Sequence, residues 1–260
     1  MTQQVRLLTG AVALARAAAP EVPQKDDLCG PFWALAVARA AGATVAGGQD
    51  QAALAAGTRL WDAPAETLPP GQRSRTDYQL ALPHTADESH AGTDVSGVAD
   101  AIHSLAPELA VTPQHTRNWD ADRLATYFDE VIRRPSPTYV ILNVATEQYR
   151  FARAGSEIAS PWHVGHFVAL LGWRDSPAGR TYVIHDSYPL RSLLGAADLD
   201  PEVIAAVPRG IRSDYLHEQS ADALLAALNR PGRTPGAILL VAPAPISTAD
   251  SSAPKSAPLT

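Results

Sequence analysis

The spacing of apolar residues changes near residue 135, and this change constrains the fold more than any other feature of the chain. Before it, apolar residues recur at helical spacing, as over residues 120–132. After Pro135 and Pro137, residues 138–144 form a β-branched apolar run that is typical of a buried strand. The sequence therefore predicts an α+β protein in which N-terminal helices pack on a mainly antiparallel sheet.

Other segments follow the same two patterns. Helices are predicted within the first 45 residues, near 51–56, and over 92–102 and 220–228, and strands are predicted over 166–172, 181–185 and 236–241. Residues 174–179, which include Asp, Ser, Pro and Gly, predict a hairpin turn between the strands that flank them. We expect a single domain over residues 1–243, with a helical part at 1–134 and a sheet part at 135–243.

Two segments lack a regular apolar pattern. Residues 61–90 contain several Pro and polar residues, and we interpret them as a loop on the substrate side of the protein. Residues 244–260 are rich in Pro, Ser and Ala, and they are predicted to be a disordered tail.

Composition narrows the classes of partner. The chain has 260 residues, 46% of them apolar, which is enough for a large core. Its net charge is −6 and its longest basic run is Arg133-Arg134, so no nucleic-acid partner is expected. No apolar run approaches the ~18 residues of a membrane span, so no membrane partner is expected. Residues 7–20 superficially resemble a signal peptide, but Arg16 interrupts them, and a short amphipathic helix is the preferred interpretation.

Cys29 is the only cysteine in the chain, and it precedes the helical run that begins with Gly30 and Pro31. One cysteine cannot form an internal disulfide, which favours a reducing, cytoplasmic location. A buried free cysteine is usually structural. A thiol at the start of a helix differs, because the helix dipole favours the nucleophilic thiolate. With Asp26 and Asp27 as expected capping residues, Cys29 is a candidate nucleophile.

His166 opens one predicted strand, and Asp186 closes the next. In an antiparallel hairpin the start of the first strand lies opposite the end of the second, so these two side chains can lie side by side. His166 is therefore a candidate general base, and Asp186 is a candidate for the carboxylate that orients it. His163 is the alternative base, and His166 is preferred because it directly precedes the apolar strand.

The order of these residues resembles that of a known enzyme superfamily. Gln24 precedes Cys29-Gly, His166 begins a His-Phe-Val-x-Leu-x-Gly strand, and Asp186 ends the following strand. This pattern is similar to that of the papain-like cysteine peptidases, and it is closest to bacterial double-glycine-leader peptidases and related acyl-transfer enzymes of natural-product pathways. The resemblance implies a papain-like fold, with Cys29 as nucleophile, His166 as base, Asp186 as its orienting carboxylate and Gln24 as an oxyanion donor.

Such a site would act through an acyl-enzyme on a peptide, amide or thioester, without a cofactor or a metal. Hydrolysis, acyl transfer and cyclisation all stay open, as do the substrate and the oligomeric state. The candidate substrate-contacting residues are Trp33, Trp162, His163 and Asn143. Two other classes remain as alternatives: a non-enzymatic binding protein with the same fold, and a metal site built from His163, His166, His185, Asp186 and Cys29.

Overall fold

The computed structural model describes residues 4–62, 75–153, 156–207, 209–229 and 236–245. Its helices are α1 (Ala11–Ala18), α2 (Cys29–Ala40), α3 (Gly48–Ala55), α4 (Val95–Leu105), α5 (Ala121–Val131), α6 (Leu190–Leu193), α7 (Pro201–Ala206) and α8 (Ala221–Leu228). Its strands are β1 (Arg6–Leu7), β2 (Leu60–Trp61), β3 (His84–Thr85), β4 (Leu109–His115), β5 (Tyr139–Ala145), β6 (Arg150–Arg153), β7 (Ser156–Ala159), β8 (Gly165–Ser176), β9 (Gly179–His185), β10 (Leu216–Ser220) and β11 (Ala237–Pro243).

The main sheet has seven strands in the order β10-β9-β8-β5-β11-β4, with β1 paired to β8. All of its pairings are antiparallel. Strands β8 and β9 form the predicted hairpin, in which Ala169 lies opposite His185. Gly179 begins β9 with a φ of +111°, a conformation that glycine adopts without a steric penalty. These observations confirm an α+β fold with a mainly antiparallel sheet.

Strand β4 lies inside the segment that the sequence predicted to be helical. It is the last strand of the main sheet and pairs with β11, with Pro113 opposite Leu239. Proline cannot donate to a strand ladder and weakens the strand pattern in a sequence, but an edge strand tolerates it. Of the predicted C-terminal tail, residues 246–260 lie outside the described residues, as do residues 63–74 of the predicted loop.

Helix α2 is the central helix on one face of the sheet. All its residues from Gly30 to Ala38 are buried, as expected for a helix that is apolar on every side. The indole Nε1 of Trp33 donates a 2.8 Å hydrogen bond to the carbonyl oxygen of Phe167 in β8. The other face of the sheet buries a second cluster that includes Phe128 of α5 and Leu224 of α8. Helix α2 is thus attached to the strand that carries His166.

The first turn of α2 needs a glycine. A Cβ atom at Gly30 would lie 2.6 Å from Cγ2 of Val98 and 3.2 Å from Cβ of Thr93, so the start of α2 packs tightly against the start of α4. A larger residue would push this turn away. The close approach therefore fixes the position of Cys29, the residue before Gly30.

A buried ion pair holds the segment that leads into α2. Nζ of Lys25 lies 2.7 Å from Oδ1 of Asp50 and donates a 2.8 Å hydrogen bond to the carbonyl oxygen of Asp77. Oδ2 of Asp50 accepts from the backbone N–H groups of Gln79 and Leu80. Because the Asp50 side chain is fully buried, the pair ties residues 77–80 to the chain just before the helix.

We expect Lys25→Met to lower the free energy of unfolding by about 3–5 kcal/mol, because it leaves the Asp50 charge buried without its partner. The matched control is Arg212→Met, which breaks the more exposed Arg212–Asp214 pair and should cost about 1 kcal/mol or less. Chemical denaturation of both variants measures the difference. Equal small losses would contradict an anchoring role for Lys25.

Candidate active site

His166 and Asp186 meet at one end of the β8–β9 hairpin. Nε2 of His166 lies 2.8 Å from Oδ1 of Asp186. The two side chains are 1% and 0% exposed, so water screens their interaction very little. The same carboxylate oxygen accepts a 2.9 Å hydrogen bond from the backbone N–H of Tyr188. The antiparallel hairpin thus brings together the two residues that the sequence paired.

Cys29 is the first residue of α2 and is partly exposed. The expected cap is wrong: Leu28 is the N-cap residue and makes no side-chain cap hydrogen bond. Asp27 instead adopts a φ of +56° and accepts a 2.6 Å hydrogen bond from the backbone N–H of Trp61. Burial, against the effect of that hydrogen bond, raises the pKa of Asp27 to about 6. The carboxylate that was expected to cap α2 thus accepts a hydrogen bond from the backbone of β2 instead.

Cys29 acts on the His166 ring as well: its charge and hydrogen bonding with its sulfur both raise the pKa of His166. Burial by itself lowers the pKa of His166, but the charge and hydrogen bond of Asp186 oppose this effect, and Cys29 adds to them. Together they raise the pKa of His166 from 6.5 to about 10. The imidazole is therefore held as a cation at neutral pH between two groups that favour its charge.

The carboxylate of Asp186 is stabilised in its charged form. Burial opposes ionisation, yet the charge and hydrogen bond of His166, with a contribution from His217, hold the pKa of Asp186 well below its ordinary range. The neighbouring His185 lies on the other side of the strand, where its ring packs edge-on against Trp33 at 5.3 Å. Burial lowers the pKa of His185 to about 4, so this histidine is neutral.

Gln24 is joined to the residues that follow Asp186. Its side-chain oxygen accepts a hydrogen bond from the hydroxyl of Ser187, and its backbone N–H donates to the carbonyl oxygen of Ser187 at 3.3 Å. Its amide Nε2 makes a long, 3.3 Å hydrogen bond to the carbonyl oxygen of Lys25. Burial raises the pKa of Tyr188 well above its ordinary value, and hydrogen bonding by Gln24 opposes this effect. Gln24 is thus connected to the segment that carries Asp186.

The predicted substrate-contacting residues fall in different places. Trp162 is partly exposed and its ring lies 4.9 Å from that of His166, whereas Trp33 is fully buried and packs α2 on β8. His163 is exposed, and of the two candidate bases it is His166 that contacts Asp186. Asn143 is 5% exposed and lies opposite Phe167 in the β5–β8 pairing. Of the four, Trp162 is the one whose ring contacts the His166 ring.

Several neighbours of this site were not predicted. The ring of Tyr188 stacks beside His166 at 5.9 Å, and Nε2 of His217 in β10 lies 3.5 Å from Oδ2 of Asp186. Tyr188 and Ser187 directly follow Asp186 in the chain, a proximity that the sequence shows. His217 lies on a short polar strand, and no sequence pattern connects it with Asp186.

Within the described ranges, no group of three or more His, Cys, Asp or Glu side chains is arranged to hold a metal ion. The same ranges contain no helix with the length and apolar character needed to cross a membrane.

A comparison with models of known protein families found a match that covers most of the chain. Residues 8–257 match the model of a family of unknown function, DUF6885, and the chain belongs to that family. A search of curated proteins found no match.

The raised pKa of His166 makes stability depend on pH. Its folded value of about 10 exceeds its ordinary value of 6.5, so the stabilisation is complete below pH 6.5 and is lost as pH rises towards 10. We expect the free energy of unfolding to fall by up to about 1.4 kcal/mol per pH unit in the upper part of that window, above about pH 8.5, where an ordinary cysteine has lost its proton in the unfolded chain as well. His166→Gln should remove this part of the slope. Denaturation of both proteins at several pH values measures it, and parallel pH curves would contradict the charged pair.

Proposed function

We propose that this chain is a thiol-dependent acyl-transfer enzyme with a papain-like arrangement of Cys29, His166 and Asp186. The observation that carries the proposal is the position of His166, whose Nε2 lies 2.8 Å from the buried carboxylate of Asp186 and whose pKa the Cys29 sulfur also raises. A structural histidine needs only one such partner. Cys29 at the start of α2, His166 and Asp186 together would supply a nucleophile, a proton carrier and an orienting group.

In the proposed reaction, the Cys29 sulfur attacks a carbonyl carbon, and the electron pair of the C=O bond moves to the oxygen. His166 gives its proton to the leaving group as the bond to that group breaks, which leaves a thioester on Cys29. His166 then takes a proton from the acceptor, which attacks the thioester and releases the sulfur. Because Asp186 bonds Nε2 of His166, Nδ1 is the nitrogen left to exchange these protons.

The oxyanion would be held at the start of α2. The N-cap residue Leu28 uses no side chain to cover the first turn, so the backbone N–H of Cys29 is a suitable donor. Nε2 of Gln24 would be the second donor. The hydroxyl of Ser187 binds the amide oxygen, and the hydrogen bond from Nε2 to the carbonyl oxygen of Lys25 is long. Gln24 would turn this nitrogen from a backbone carbonyl to the charge that develops on the substrate.

The acceptor decides the reaction type. Water gives hydrolysis, whereas an amine, thiol or alcohol gives acyl transfer or cyclisation. Trp162 is partly exposed beside His166, and its ring lies 5.4 Å from that of the buried Tyr188, so Trp162 offers an apolar surface to an acyl or peptide substrate. This contact suits a peptide or acyl substrate.

Alkylation of the single cysteine tests the proposal. We expect iodoacetamide to modify Cys29 in the native protein near pH 6 at least about tenfold faster than in the denatured chain, because thiolates react and ordinary thiols are protonated there. His166→Ala should remove this advantage. His163→Ala is the matched histidine control and should keep it, and intact mass gives the stoichiometry.

Three results of this experiment would contradict the assignment. Slow modification of the native protein would mean a structural thiol and a non-catalytic protein. Loss of reactivity in His163→Ala, with His166→Ala unchanged, would transfer the role of base to His163. Equal effects of both substitutions would remove any specific role for either histidine.

Acylation provides the second test. Incubation with a panel of thioesters and peptides should add one acyl group to Cys29, as seen by intact mass, and Cys29→Ala should show none. Gln24→Ala should acylate roughly 10²-fold more slowly while alkylating at the wild-type rate, because an oxyanion donor acts only on a carbonyl substrate. A Gln24→Ala protein that acylates at the wild-type rate would exclude the oxyanion role.

A further inference from the structure

The second oxygen of Asp186 faces a histidine outside the proposed triad. Oδ2 of Asp186 lies 3.5 Å from Nε2 of His217, and the two side chains are 0% and 2% exposed. Neither atom has a hydrogen-bond partner among the described residues. The separation is long for a hydrogen bond, but catalytic hydrogen bonds often shorten only when substrate is bound. Each atom is thus a hydrogen-bond partner that the other could use.

The backbone of Arg150 determines which nitrogen of His217 carries the proton. Oε1 of Gln219 accepts from the Arg150 N–H at 3.0 Å, and Nε2 of Gln219 donates to the Arg150 carbonyl oxygen at 3.1 Å. These two bonds fix the orientation of the Gln219 amide, because a flipped amide would place donor against donor. Nε2 of Gln219 also lies 3.2 Å from Nδ1 of His217.

An amide nitrogen can only donate, so Nδ1 of His217 must accept. A neutral imidazole has one protonated nitrogen, and that nitrogen is then Nε2, the atom that faces Asp186. The ring is also held in place by its aromatic neighbours, with Tyr149 at 4.9 Å and Phe151 at 5.3 Å. Both the tautomer and the orientation of His217 are therefore set in advance.

We infer that His217 is a positioning residue for the proposed active site: a neutral histidine that donates its Nε2 proton to Oδ2 of Asp186 and so holds the carboxylate towards His166. The inference rests on the proposed function. With His217 on Oδ2 and the Tyr188 N–H and His166 on Oδ1, the carboxylate has donors on both oxygens. It cannot turn away from His166 without losing them.

Two substitutions separate this role from packing. His217→Phe keeps an aromatic ring between Tyr149 and Phe151 but has no donor, whereas His217→Gln places an amide nitrogen near the position of Nε2. We expect His217→Phe to slow Cys29 alkylation by iodoacetamide at least about tenfold, the effect of losing one hydrogen bond to a charged group. His217→Gln should recover most of the rate. His185→Phe, which removes a buried imidazole on the other side of the strand, should stay within about twofold of wild type.

A second measurement needs no variant. Long-range ¹H–¹⁵N spectra of the wild-type protein show which nitrogen of each histidine carries a proton, and the inference expects His217 protonated at Nε2 and unprotonated at Nδ1 near neutral pH. A proton on Nδ1 would overturn it. So would a His217→Phe protein that alkylates at the wild-type rate, or a His217→Gln protein as slow as His217→Phe.

The controls keep the two proposals distinct. If His166→Ala alkylates at the wild-type rate, the proposed function fails and the inference fails with it. If His166→Ala is slow and His217→Phe is not, only the role of His217 fails. Equal losses in His217→Phe and His185→Phe would show a general effect of changing a buried histidine, and would also overturn the inference.

Discussion

The buried carboxylate of Asp186 is the group on which the arrangement of the candidate site depends. A fully buried charge is tolerated only if opposite charge and hydrogen-bond donors replace water. The donors come from separate parts of the chain: His166 opens β8, the N–H of Tyr188 follows β9, and His217, the donor inferred above, lies on β10 at 3.5 Å from the second oxygen. Satisfying one carboxylate therefore fixes three segments relative to one another at this end of the sheet.

The position of Cys29 depends on the same part of the sheet, because helix α2 is attached to the strand that carries His166. Trp33 bonds the backbone of β8 one residue after His166, and Gly30 allows the first turn of α2 to approach α4 closely. The buried Lys25–Asp50 pair holds the preceding segment. The thiol is thus placed by packing and by buried hydrogen bonds, and the electrostatic effect of Asp186 is passed to it through one imidazole ring.

Local sequence patterns were enough to predict the β8–β9 hairpin and the position of Cys29 at the start of a helix. The pairing of His166 with Asp186 follows from two adjacent strands and a short turn, so the sequence indicated it directly. His217 could not be found in this way, because its contact with Asp186 joins strands that are distant in sequence and β10 is short and polar. The capping role expected of Asp27 failed because a long-range hydrogen bond to Trp61 competed for its carboxylate. Strand β4 was not predicted because Pro113, which an edge strand tolerates, weakens the strand pattern in the sequence.

The central claim is that His166 is a cation at neutral pH because Asp186 is a buried anion. A pH titration of the His166 ring nitrogens by NMR, in wild type and in Asp186→Asn, tests it most directly. The account predicts that wild-type His166 keeps both ring protons until the pH approaches 10, and that Asp186→Asn loses one at a clearly lower pH. A wild-type His166 that titrates near 6.5, unchanged in Asp186→Asn, would contradict the account.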